Sequence, residues 1–148
     1  MSENEEWREF VCPFFVSTCR AVMSSYFASI GLTNLREEET RCIWYDTRVF
    51  VDIAHMPETS PNYEIQVFIG FGSKKFDTEG NWQSVPLWTL IPESRQEELN
   101  ATLSFRTTSD LVAALERCRD ALLPELVEPL LAEPAKLQHA IRRFAPRS

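Results

Sequence analysis

The sequence predicts an α+β fold: a mostly antiparallel sheet of about five strands, with an N-terminal helix and C-terminal helices packed on it. Apolar side chains in residues 7–30 recur at steps of three and four, which is typical of a helix with one wide buried stripe. In residues 41–71 the apolar period falls to two, the period of a pleated strand. Helical periodicity returns after residue 107. Because no long crossover separates consecutive strands, we expect them to pair antiparallel.

The N-terminal helix has two possible starts and one clear end. Pro13 lacks a backbone N–H, so the regular helix either begins near Pro13, as a first-turn residue, or is kinked there. Gly31 directly follows the last apolar position, Ile30, and precedes Leu32. This order predicts a left-handed glycine cap with a hydrophobic contact from the residue that follows it.

The clearest strand is Tyr63–Phe71, where apolar residues at odd positions alternate strictly with Glu64, Gln66, Phe68 and Gly70. Shorter runs predict further strands at residues 41–45, 49–53, 85–91 and 103–107. Pro86 confines the strand at 85–91 to an edge or to its first position. We expect connections elsewhere, including a polar stretch at 36–40, a loop at 55–62 and a charged segment with a turn of helix at 93–100.

The C-terminal helices are predicted from a cap and from three prolines. Thr107 and Asp110 have the spacing of a capping box, in which the threonine hydroxyl accepts a hydrogen bond from the backbone N–H three residues later. Pro124, Pro129 and Pro134 indicate breaks or fresh starts along the helical region. The last helix opens at Glu133-Pro134, and its apolar face carries Leu137, Ile141 and Phe144.

Length and charge restrict the class of protein. With 148 residues, of which 44% are hydrophobic and 11% aromatic, the chain has enough apolar surface for a single domain over residues 1–148. The formal net charge of −7 argues against nucleic acid as a partner and favours basic partners. The apolar run between Val11 and Arg20 is too short for a membrane span of about 20 residues. Because the first residues are acidic, unlike a signal peptide, we expect a cytoplasmic protein that does not bind membranes.

The four cysteines are Cys12, Cys19, Cys42 and Cys118, and no two of them form a CxxC motif. Cys12 and Cys19 are seven residues apart, so two helical turns would separate their Cα atoms by roughly 10–11 Å. That distance is too long for a disulfide bond. We therefore expect free thiols that behave as small buried hydrophobes, with no metal site.

We find no catalytic or cofactor motif in the sequence. The only histidines are His55 and His139, and the patterns GxSxG, HExxH, GxxxxGK[ST] and GxGxxG are absent. We expect His55 in a surface turn after the second strand, with Asp52 on the opposite face of that strand. His139 lies close to Arg142 and Arg143, which would repel a metal ion. The prediction is a non-enzymatic protein without a catalytic residue, a metal or a cofactor.

Aromatic side chains supply the best candidate for a functional surface. In the predicted strands, Phe50 and Phe68 lie on the face opposite the regular core positions, and either Trp44 or Tyr45 must join them. If the helices cover only one face of the sheet, these rings stay partly exposed, which marks a protein-binding or dimer surface. The alternative is that helices cover both faces. The candidate surface consists of Trp44, Tyr45, Phe50, Phe68, Trp82 and Trp88.

Two short motifs carry a resemblance to known proteins: the run Tyr63-Glu64-Ile65-Gln66-Val67-Phe68-Ile69-Gly70 and the Leu-rich segment from Glu128 to Leu131. On them, residues 43–144 resemble small bacterial proteins of the immunity-protein or unknown-function type. The resemblance implies a non-enzymatic protein such as an inhibitor that binds a toxin. The chain is also similar to type III secretion chaperones, which are small acidic α/β dimers. Those chaperones have a helix between the strands, where this chain has only the segment at residues 93–100.

The leading hypothesis is therefore a cytoplasmic protein-binding module of the immunity-like kind, whose expected partner is a protein, with a basic one favoured. The rival hypothesis is an enzyme or small-ligand-binding protein with a pocket between the sheet and the N-terminal helix, involving His55, Trp44 and Arg48. A homodimer with a purely structural purpose is the third.

Overall fold

The computed structural model describes residues 14–57, 63–71 and 84–144 and confirms the α+β fold. The helices are α1 (Phe15–Ser29), α2 (Gln96–Leu103), α3 (Thr108–Arg117), α4 (Glu128–Ala132) and α5 (Pro134–Phe144). The strands are β1 (Asn34–Glu38), β2 (Arg41–Tyr45), β3 (Val49–Pro57), β4 (Tyr63–Phe71), β5 (Ser84–Pro86) and β6 (Ser104–Phe105). Two 3₁₀ turns, Leu87–Leu90 and Glu93–Arg95, precede α2, and a π-helical segment, Cys118–Val127, follows α3.

Helix α1 ends as its sequence predicts. Gly31 has φ of 92°, which is the left-handed conformation. Its N–H donates to the carbonyl of Ala28 at 3.1 Å, and the N–H of Leu32 donates to Phe27 at 2.9 Å. This pair of bonds satisfies carbonyls that the helix leaves free, while Leu32 packs into the core. Regular helix begins at Phe15, and Pro13 lies outside the described residues.

The sheet is antiparallel throughout, in the order β1-β2-β3-β4-β5, with β6 also paired to β4. Strand β4 has the predicted bounds and pairs with β3 from Val49 opposite Phe71 to Pro57 opposite Tyr63. The predicted loop at 55–62 is wrong for residues 55–57, which extend β3. The predicted polar connection at 36–40 is also wrong in part, because β1 covers residues 34–38. Charged side chains suit this strand because it lies at the sheet edge.

The predicted strand at 85–91 is wrong beyond Pro86. Pro86 has no N–H to extend a ladder, and the chain turns into the 3₁₀ segment Leu87–Leu90 instead. The hydroxyl of Thr89 donates to the carbonyl of Pro86 at 2.8 Å and stabilises that turn. The predicted strand at 103–107 shortens to β6, because α2 runs on as far as Leu103.

The C-terminal helices follow the predicted caps. The hydroxyl of Thr107 accepts a hydrogen bond from the N–H of Asp110 at 3.1 Å, as the capping box requires. Pro124 does not break the chain but lies inside the π-helical segment, where the wider register tolerates a residue without an N–H. Helix α5 begins at Pro134 as predicted and buries Leu137 and Ile141.

The described helices pack on one face of the sheet, here called the helix-side face. Buried side chains from α1, α3 and the π-helical segment meet those of β2, β3 and β4 there in one core cluster. The rings of Phe27 and Trp44 stack with centroids 4.6 Å apart, and Phe15 stacks on Phe105 at 6.1 Å. In the described residues, no helix combines the length and the apolar character needed to cross a membrane.

The opposite face of the sheet is also buried at its centre. Four neighbouring residues on β2 and β3 have almost no exposed surface: Ile43, Phe50, Asp52 and Ala54. The prediction that this face stays open to solvent is therefore wrong for the middle of the sheet. Exposing a phenylalanine ring there would cost about 1.5–3 kcal/mol relative to burying it, which favours a covered face.

Candidate protein-binding groove

Two of the six predicted surface aromatics lie in the interior. Trp44 is only 2% exposed, because the β2 register directs it to the helix-side face, where it stacks on Phe27. Phe50 is fully buried on the opposite face, in a central strand. Neither ring is available to a partner, so the candidate surface loses Trp44 and Phe50.

The remaining predicted aromatics differ in exposure. Tyr45 and Phe68 are half-buried on the opposite face of the sheet. Trp82 lies outside the described residues. Trp88 is 48% exposed, and only one other large hydrophobic side chain is classed as exposed in the described part of the chain, Phe144 at 41%. Of the predicted aromatic residues, Trp88 is therefore the one best exposed to contact a partner.

A pocket between the sheet and the N-terminal helix was predicted to involve His55, Trp44 and Arg48, but these residues do not form one. Trp44 pairs with Val51 on β3, and Val51 lies four residues before His55. About 13 Å along the strand therefore separates Trp44 from His55. His55 is not in a surface turn: it is a buried residue of β3 whose ring packs 4.9 Å from that of Phe15. Arg48 is exposed in the turn between β2 and β3. These three side chains do not converge.

Trp88 and Phe144 flank a groove of about 600 Å³ between the first 3₁₀ turn and helix α5. Their rings meet edge to face, with centroids 6.3 Å apart and planes at 85°. The apolar residues that line this Trp88 groove are Trp88, Leu90, Ile91, Ala140 and Phe144, with Glu93, Gln96 and Arg143 among its polar residues. The sequence does not mark Phe144 as a surface residue, because Phe144 continues the apolar stripe of Leu137 and Ile141 beyond the point where the core ends.

The side chain of Gln96 also holds the backbone that carries Trp88. The carboxamide nitrogen of Gln96 donates to the carbonyl of Trp88 at 2.6 Å and to the carbonyl of Ile91 at 2.9 Å. Gln96 is the first residue of α2, so it ties the 3₁₀ turn to that helix. The exposed indole therefore projects from a braced turn, which lowers the entropy lost when a partner binds.

One basic side chain lines the groove, at the end of α5. Arg143 lines the groove, and Arg142 beside it is exposed. Neither arginine has an ion pair with any residue that the structure describes. By contrast, Nζ of Lys136 on the same helix forms an ion pair with a carboxylate oxygen of Glu133 at 3.4 Å. Tryptophan and arginine are both enriched among the residues that contribute most to protein–protein binding.

A second concavity, here called the β4 slot, lies on the other side of Trp88. It has a volume of about 300 Å³ and is bounded by residues 64–67 of β4, by Leu87 and Trp88, and by one side of α2. Trp88 and Gln96 line both the slot and the groove, so the two concavities adjoin.

Two ionisable side chains of β3, Asp52 and His55, are buried. Asp52 and His55 lie on opposite faces of β3, as predicted. Burial raises the pKa of Asp52 to about 6, although Arg41 at 3.1 Å acts to lower it. Burial lowers the pKa of His55. No group of three or more His, Cys, Asp or Glu suited to a metal occurs within residues 14–57, 63–71 and 84–144.

The cysteines in the described segments are free and buried, as expected for Cys19, Cys42 and Cys118. The thiol of Cys42 donates to the carbonyl of Val16 at 3.7 Å, which links β2 to α1. Burial raises the pKa of Cys118 to about 12, so this thiol stays protonated and unreactive at neutral pH. Cys12 lies outside the described residues.

Comparisons of the chain with models of protein families, with curated proteins and with solved structures found no significant match. What the protein does must therefore be inferred from its own side chains, of which those around Trp88 are the most distinctive.

Proposed function

We propose that the protein is a non-enzymatic protein-binding module and that a partner docks in the Trp88 groove. The observation that carries the proposal is the pairing of Trp88 with Phe144: two exposed aromatic rings in contact, at one concave surface. Exposed apolar surface of this kind is costly in a protein that has no partner, and aromatic side chains in a groove are typical anchors of binding.

The groove also indicates the chemistry of the docking segment. Its apolar wall accepts an aliphatic or aromatic side chain, and the guanidinium of Arg143 favours a carboxylate next to it. The net charge of −7 acts over a longer range and favours a partner whose overall charge is basic. A basic protein that presents a short apolar and acidic segment satisfies both conditions.

An immunity-like inhibitor of a toxin is one specific form of this proposal, and a chaperone of a secreted protein is another. Both would act by covering a surface rather than by chemistry. The free buried cysteines Cys19, Cys42 and Cys118 fit a reducing compartment, which supports a cytoplasmic location as part of this proposal.

The test compares the wild type with variants at two neighbouring arginines and at one tryptophan. Proteins captured from a native extract by the wild-type chain are compared with those captured by Trp88→Ala, Arg143→Glu and Arg142→Glu. We expect one protein to be retained by the wild type and by the Arg142 variant, and to be lost by the other two, because Arg142 does not line the groove. Capture that the Trp88 and Arg143 variants leave unchanged would contradict the proposal.

A small-ligand-binding function is the second candidate, because about 600 Å³ is within the range of ligand sites. Thermal-shift measurements with a set of metabolites distinguish the ligand-binding function from the protein-binding function. Strong stabilisation by one compound, abolished by Trp88→Ala, would favour the ligand-binding function over the protein-binding one.

A further inference from the structure

The β4 slot has an apolar inner wall and a polar rim. The lining residues that are buried are all aliphatic: Ile65, Val67, Leu87, Leu99 and Leu103. The lining residues that reach solvent are Glu64, Gln66, Trp88, Gln96 and Asn100. On α2 the lining positions 96, 99, 100 and 103 have the spacing of one helix face, so the slot lies against the side of α2 and not at its end.

The rim offers hydrogen-bond acceptors rather than donors. The carboxamide nitrogen of Gln96 uses both of its N–H groups on the carbonyls of Trp88 and Ile91, at 2.6 and 2.9 Å. The carboxamide nitrogen of Gln66 donates to a carboxylate oxygen of Glu64 at 3.0 Å. Beyond these bonds the two carboxamides present mainly their carbonyl oxygens, and an ionised carboxylate only accepts. The rim therefore suits a group that only donates hydrogen bonds.

The charge of the slot favours a cation. Glu64 is the one charged residue among the described residues that line it. The net charge of −7 draws cations towards the protein from a longer distance. Trp88 also lines the slot, and an indole ring attracts a cation more strongly than any other aromatic side chain. A positively charged group is thus the favoured occupant, and a phosphate or a carboxylate is disfavoured.

A lysine side chain fits both parts of the slot. Its ammonium group is a compact cation with three donors and no acceptor, which matches the rim. Its methylene stem packs on apolar surface while the charge stays near solvent, which matches the aliphatic wall. A bidentate arginine would need both oxygens of a carboxylate, and one oxygen of Glu64 already accepts from Gln66. The slot therefore favours lysine over arginine.

We propose that the β4 slot binds a lysine side chain of the partner, with the ammonium group at the carboxylate of Glu64. This rests on the proposed function, because the slot adjoins the Trp88 groove and shares Trp88 and Gln96 with it. The docking segment lies across the indole, with the lysine on one side and an apolar residue in the groove on the other. The preference for a basic partner, which the net charge provides only at long range, gains a defined contact.

A random heptapeptide library displayed on phage, selected on the full-length protein, tests this proposal. We expect a consensus with a lysine next to an apolar residue. Replacing that lysine by norleucine keeps a carbon stem and removes the ammonium group, and should weaken binding to the wild type by about tenfold or more. In Glu64→Gln the same replacement should cost less than about threefold, because the charge that it answers is gone.

The matched control is Glu97→Gln. Glu97 is exposed on α2 and lines neither the slot nor the groove, so this variant makes the same change of charge without touching the site. It should show the full norleucine penalty of the wild type. Because norleucine is introduced in the peptide, the first comparison needs only the unmodified protein.

The outcomes separate the slot from the groove. A norleucine penalty as large in Glu64→Gln as in the wild type, or selected peptides that carry no lysine but lose binding in Trp88→Ala, would refute the slot alone and leave the groove in place. Selection of no peptide, or binding that Trp88→Ala leaves unchanged, would overturn both. Thermal stabilisation by the free diamine cadaverine equal to that by the peptide would overturn the assignment to a partner protein.

Discussion

Trp44 and Trp88 belong to the same predicted surface, yet the structure gives them opposite roles. Trp44 lies in the middle of β2, and strand pairing on both sides directs its ring into the core against Phe27. Trp88 lies two residues after Pro86, the last paired residue of β5, and the chain turns away from the sheet there. An aromatic ring inside a paired strand is fixed by the register, whereas one just beyond it is placed by the path of the connection. The core around Trp44 should therefore determine stability, and the groove around Trp88 should determine binding.

The largest expected effect is on the core side of this comparison. Trp44→Ala should lower the free energy of unfolding by about 3–5 kcal/mol, because it removes a buried ring and leaves a cavity. Urea denaturation of the variant and of the wild type measures the difference. A loss below about 1 kcal/mol would mean that Trp44 is not part of the packed core.

A pH measurement tests whether the face opposite Trp44 is covered as well. Burial raises the pKa of Asp52 to about 6, above its value in the unfolded chain. The folded state therefore binds the extra proton, and the contribution of Asp52 to stability should be greatest below about pH 4 and fall by about 3 kcal/mol as the pH rises from 4 through 6. Asp52→Asn should remove that slope. A wild-type slope equal to that of the variant would indicate that Asp52 is solvated and its face open.

A smaller effect tests the attachment of the C-terminal helices to α1. The hydroxyl of Tyr26 donates to a carboxylate oxygen of Glu128 at 2.6 Å, and burial together with this bond raises the pKa of Tyr26. Tyr26→Phe should cost about 1–2 kcal/mol of unfolding free energy. In a Glu128→Gln background the same substitution should cost less, as a double-mutant cycle would show. Equal costs in both backgrounds would contradict a coupled pair.

The smallest expected change in stability belongs to the groove. Trp88→Ala should lower the unfolding free energy by at most about 1 kcal/mol, since nearly half of the side chain is already exposed at 48%. Urea denaturation checks this beside Trp44→Ala. A cost similar to that of Trp44→Ala would make Trp88 a structural residue and remove the contrast on which the functional assignment rests.

The sequence predicted the parts of the fold that local patterns determine. Strand β4, the Gly31 cap of α1, the Thr107 cap of α3 and the start of α5 all follow from a period or from a residue with special backbone chemistry. Strand β1 was missed because its charged residues are tolerated at an edge and leave no apolar alternation. The turn after Pro86 was missed because Leu87–Leu90 is as apolar as a strand.

The site was predictable only in part. Trp88 belongs to the predicted surface, but the choice between Trp44 and Tyr45 needed the register of β2 against β3. The burial of Phe50 could not be read from alternation, which divides residues between two faces without telling which face is covered. Phe144 joins the site only because the core ends one helical turn earlier, at Ile141, and the position of that boundary is a tertiary property.

The most direct measurement places a photoreactive p-benzoylphenylalanine at position 88 or at position 45 of the full chain. Irradiation in a native extract should cross-link a partner protein from position 88, beside the groove, and give little product from position 45, which is half-buried on the opposite face of the sheet. Cross-linking from position 45 with none from position 88 would contradict the assignment of the Trp88 groove as the binding site.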